Sequence, residues 1–136
     1  MIKKQTVTNF SNMETAIKTY DRNASVCGTP AWRYVYHAIH SADKWFFNPS
    51  KFTEPDFHEN GMDNPDNPCN VVLSDTELLD YLHKVQIKTE NYLDNLSDEE
   101  LNEKPQGCEY TRLELILGQF RSDYRENGKI PCVFGS

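Results

Sequence analysis

Pro30-Ala-Trp-Arg-Tyr-Val-Tyr-His-Ala-Ile-His-Ser-Ala-Asp-Lys-Trp45 is the stretch whose reading decides the fold. Trp32, Val35, Tyr36, Ile39, Ala42 and, just beyond, Phe46 recur at three- and four-residue steps, the period of one buried helical face. Thr29-Pro30 supplies an N-cap followed by proline at the first helical position, so the spacing predicts a helix from Pro30 to about Phe47. Tyr34, Trp45 and Phe47 add aromatics on other faces, which makes this the most buried element expected.

At about 100° per residue the apolar face centres near Ile39, and Asp43 falls within about 40° of it. An aspartate belongs there only if something satisfies it. His40 stands one turn earlier at the border of the same face, whereas His37 points to the opposite side. A histidine and a carboxylate at i and i+3 can share a metal, or the carboxylate can orient the imidazole. The alternative is that Asp43 accepts a hydrogen bond from a core donor and His40 is a boundary residue.

Toward the N-terminus, Phe10, Met13, Ile17 and Tyr20 predict an amphipathic helix from about Ser11 to Asn23, broken by Ser25-Val-Cys-Gly28. Asn48 to Leu73 holds four prolines and no sustained period, and reads as a long ordered loop. Its acidic residues Asp56, Glu59, Asp63 and Asp66 lack the spacing of a calcium loop. His58 in this loop and His83 beyond it are read as surface residues.

Ser74-Asp-Thr-Glu77 is a capping box that opens a third helix running to about Asn95. Ser97-Asp-Glu-Glu100 starts a short segment, and Thr111-Arg-Leu-Glu114 caps a last helix with Leu113, Ile116, Leu117, Phe120 and Tyr124 on one face. Residues 128–136 form an irregular apolar tail. The expectation is one all-α domain over residues 1–136, a four-helix bundle without a strong strand.

A net charge of −7 over 136 residues argues against nucleic acid and anionic membrane surfaces as partners. The terminal Lys3-Lys4 has no apolar run behind it, and no stretch approaches the length of a membrane span. Cys27, Cys69, Cys108 and Cys132 form no Cys-x-x-Cys pair, and four unpaired thiols fit a reducing, cytoplasmic setting. No glycine-rich phosphate loop and no Gly-x-Ser-x-Gly elbow is present.

The order Pro30 to Trp45, then a Pro/Asn-rich loop, then Tyr110-Thr-Arg-Leu-Glu-Leu-Ile-Leu-Gly-Gln-Phe-Arg121, resembles the DinB-like family of damage-inducible, metal-dependent four-helix bundles. The similarity runs from about Phe10 to Gly128. It implies a divalent metal, commonly zinc or nickel, held by one histidine of the second helix and a His-x-x-x-His pair on the last. His40 matches the first ligand by its offset from Trp32, and His37 matches under a shifted register. The pair falls on Ser122 and Glu126, flanked by the matching Arg121 and Gly128. Serine is a poor ligand, so the resemblance implies an incomplete site built on His40 or His37 with Glu126, Asp43 behind them, and no tightly bound ion.

Two functions follow from this. One is a binding or regulatory module, with an unknown small-molecule ligand and a homodimer as the partner the exposed helix faces allow. The other is a metal-dependent enzyme, a small-thiol transferase or hydrolase, with a weakened centre.

Overall fold

A computed structural model describes residues 2–119. Helix α1 (Ile2–Thr19) leads through a two-stranded hairpin, β1 (Ser25–Val26) and β2 (Thr29–Pro30), into α2 (Ala31–Trp45). A 3-10 turn at Pro49–Lys51 opens the long loop, followed by α3 (Asp75–Asp94), the single turn α4 (Asp98–Leu101) and α5 over residues 112–119. The protein is mostly helical, and among the described residues the hairpin is its sheet.

Helix α1 starts well before the expected Ser11 and stops before Asn23. Thr6 occupies the stripe position one turn ahead of Phe10 and is buried with Phe10, Met13 and Ile17. A threonine carries no apolar signal, yet its hydroxyl bonds to the Ile2 carbonyl at 2.9 Å and leaves the methyl for the core. The expected break after α1 is an antiparallel pair, Ser25 opposite Pro30 and Val26 opposite Thr29. Its two-residue turn has φ 54° at Cys27 and 81° at Gly28. Both central residues of a primed turn need positive φ, which is why glycine stands there.

The N-cap of α2 is Pro30, one residue later than expected, with no side-chain cap hydrogen bond. The Thr29 hydroxyl is used elsewhere and donates to the Pro65 carbonyl at 3.0 Å. The capping boxes at Ser74 and Ser97 are both formed, and Thr111 and Glu114 exchange the same pair of bonds. Expectation and structure also differ at the cysteines: Cys69 and Cys108 are free thiols, but Cys27 is disulfide-bonded. Sequence spacing has no bearing on which cysteines the fold brings within bridging distance.

The core lies where α1 and α2 pack on α3. Tyr36, Ile39, Leu78 and Leu82 are fully buried in it, and the loop contributes Met62 and Leu73 on equal terms. Ile116 of α5 is also fully buried. Among the described residues no helix is long and apolar enough to cross a membrane. Phe120, Tyr124 and the tail at 128–136 lie outside the described residues.

Candidate metal centre

Helix α2 carries a second stripe beside its apolar one. Arg33, Tyr36, His37 and His40 are spaced i, i+3, i+4 and i+7, so they line one side of the helix. Each takes hold of the long loop. Arg33 Nη2 donates to the carbonyls of Met62 and Asn64, both at 3.0 Å, and His37 Nδ1 lies 2.7 Å from the Asp63 carbonyl. The Tyr36 hydroxyl meets His58 Nδ1 at 2.5 Å, and His40 Nε2 meets Glu54 Oε1 at 2.7 Å.

These contacts bring His58 in beside His40. The two imidazoles stack with centroids 4.7 Å apart and planes 17° from parallel, and His58 Nε2 reaches Glu54 Oε2 at 2.7 Å. One carboxylate thus receives the Nε2 atoms of both rings. Phe52 closes the edge of His40 and Tyr36 lies against both rings. Both histidine side chains are 4% exposed, while Glu54 is 45% exposed and opens the group to solvent. Burial pushes the His58 imidazole below its ordinary value, against the upward pull of Glu54.

The donor atoms of His40, Glu54 and His58 lie within 4.8 Å of one another, and the group can hold a metal ion. Two imidazole nitrogens and a carboxylate oxygen suit zinc or a similar divalent ion. Tyr36 on Nδ1 of His58 is the outer partner that fixes a ligating ring. Bonds of about 2.0–2.1 Å in a tetrahedral shell need donors about 3.3 Å apart, so the 2.7 Å hydrogen bonds would open by about 0.6 Å. A half-exposed glutamate on a loop can make that adjustment. Asp63 Oδ1, 3.6 Å from His58 Nε2, is a further oxygen at the rim.

Of the residues singled out from the sequence, His40 belongs to this group. His37 bonds instead to the backbone of Asp63. Asp43 is satisfied by the Tyr81 hydroxyl and Lys88 Nζ, both at 2.8 Å, so the core donor required on the wheel is present. Its neighbours push the Tyr81 hydroxyl well above its ordinary value: burial first, then the Asp43 charge. Ser122 and Glu126 lie outside the described residues.

Glu54 and His58 were missed, and the His58 side chain is turned inward, 4% exposed, rather than at the surface as expected. A signal did exist. A polar stripe at helical spacing, with two histidines and a tyrosine on it, needs partners, and the loop rich in Glu, Asp and His is where they are.

A cleft of about 400 Å³ adjoins the group, with Glu54, Asp43, Phe57, Tyr81 and Lys84 among its walls. Glu54 is the one residue shared by cleft and centre. No family model, curated protein or solved structure matches the chain.

Proposed function

We propose that the protein is a metal-dependent enzyme in which His40, Glu54 and His58 hold one divalent ion of the zinc class beside a substrate cleft. The observation that carries this reading is the convergence of His40 Nε2 and His58 Nε2 on the two oxygens of one half-exposed carboxylate. Three protein ligands leave a coordination position open, and an ion so held supplies Lewis-acid polarisation of a substrate group. Hydrolysis and transfer to a small thiol both draw on it. Tyr36 holds the His58 ring in place, and Phe52 and Tyr36 keep water from the buried faces of the imidazoles. The DinB-like four-helix bundle remains the architecture we propose, with the centre formed by α2 and the long loop rather than by the last helix.

The 2.7 Å contacts favour a second reading. If each Nε2 carries a proton, Glu54 satisfies both rings without an ion, and the protein is a binding or regulatory module on the same scaffold. Metal content separates the two. Protein equilibrated with zinc, then desalted and subjected to elemental analysis, should retain one ion per chain and lose it in His58→Ala. His83, exposed and paired with Glu14 at 3.1 Å, is the control, and His83→Ala should retain the ion. Negligible zinc in the parent, or equal zinc in parent and His58→Ala, overturns the enzyme reading.

A further inference from the structure

Arg33 is 95% removed from solvent, at 5% exposure, yet among the described residues no carboxylate pairs with its charge. Of the described arginines, Arg22 reaches Asp75 at 2.7 Å and Arg112 reaches Glu103 at 3.5 Å. Among the described residues Arg33 has the carbonyls of Met62 and Asn64, both on Nη2, and no partner for its buried Nε. A buried guanidinium whose charge is unanswered is costly unless an anion lies near it.

A pocket of about 390 Å³ lies against it, between the β1–β2 hairpin and the loop segment 65–72. That volume falls in the range of small-molecule sites. The Thr29–Pro65 hydrogen bond joins its two walls. Trp32, Pro65, Val71 and Val72 give it apolar surface, and the Trp32 ring has the Arg33 guanidinium 5.8 Å from its centroid. The pocket shares no lining residue with the cleft beside Glu54.

We propose that this pocket is a second ligand site, which takes a small monocarboxylate with an apolar body, the carboxylate facing Arg33 and the body lying on Trp32 and Val72. A single guanidinium matches a single negative charge, and Asp66 on the same wall disfavours a dianion. None of the three residues of the proposed metal centre lines this pocket.

Benzoate is the probe, with benzyl alcohol testing the charge and acetate testing the body. The full-length protein carrying Trp45→Phe reports through Trp32 fluorescence, because Trp45 is exposed and outside the pocket. Benzoate should give a saturable change, with benzyl alcohol and acetate each roughly tenfold weaker or more. Arg33→Gln should abolish the preference for benzoate over the alcohol. Because Arg33 also holds the loop, Val72→Glu is the second variant: Val72 is 70% exposed, so the fold should persist while a carboxylate at the mouth weakens benzoate roughly tenfold. Benzoate binding no tighter than benzyl alcohol, or unchanged affinity in Val72→Glu, overturns the proposal.

Discussion

Helix α2 and the loop that follows it both contribute to the core and to the candidate centre, but by opposite means. In α2 the period of the chain settles which side chains point inward, and Trp32, Tyr36, Ile39 and Ala42 are buried as that period requires. In the loop no period exists. Met62 is fully buried, and the side chain of His58 nearly so, because side chains of α2 bond to the loop and pull it in. A helix carries its own backbone hydrogen bonds, so only its faces need partners. A loop must find partners for backbone and side chains together, and those partners lie far away in sequence.

The comparison is broken most forcefully in the core. Leu82→Ala on α3 should lower unfolding free energy by about 2–5 kcal/mol, and Met62→Ala in the loop by about the same. Urea denaturation checks both. A negligible cost at Met62 would make the loop a cover rather than a part of the core.

A smaller effect is expected where helix and loop meet. Tyr36→Phe keeps the ring in the core and removes the hydroxyl that His58 Nδ1 meets. We expect a loss of about 1–3 kcal/mol, the cost of leaving a part-buried polar atom unpaired. In the NMR spectrum the His58 ring resonances should shift while those of the exposed His83 stay. Shifts confined to residue 36 would mean that His58 is held by Glu54 alone.

The smallest effect lies at the capped starts of α3, α4 and α5, where sequence and structure agree closely. Ser74→Ala should cost about 1 kcal/mol through loss of the α3 cap. Glu100 and Glu114 accept hydrogen bonds from the N-cap backbones, which hold both carboxyls below their ordinary 4.5. Their contribution is therefore present above that value and lost as pH falls through the lowered folded values. Amide-exchange protection in the first turns of α4 and α5 should fall with it. Protection unchanged to the end of that titration would contradict the capping role.

What was legible follows from these differences. The α2 face, the stripe of α1 from Phe10 onward, the capping boxes at Ser74 and Thr111 and the short segment opened by Ser97 are local patterns, and each is present. The N-terminal half of α1 was hidden because Thr6 takes an apolar position with a polar side chain. The hairpin was hidden because two residues per strand are too few for alternation to show. In the centre His40 was legible as a border residue with chemistry to offer. Glu54 and His58 stand in a segment whose place depends on Arg33, Tyr36 and His37, and no spacing within the loop encodes that.

X-ray absorption at the zinc edge, on the full-length protein loaded with one zinc ion per chain, tests the central claim most directly. The account predicts two imidazole nitrogens at about 2.0–2.1 Å and carboxylate oxygen at about 2.0–2.2 Å, with one imidazole lost in His58→Ala. A sulfur shell at about 2.3 Å, or a shell of oxygen without imidazole, would contradict it.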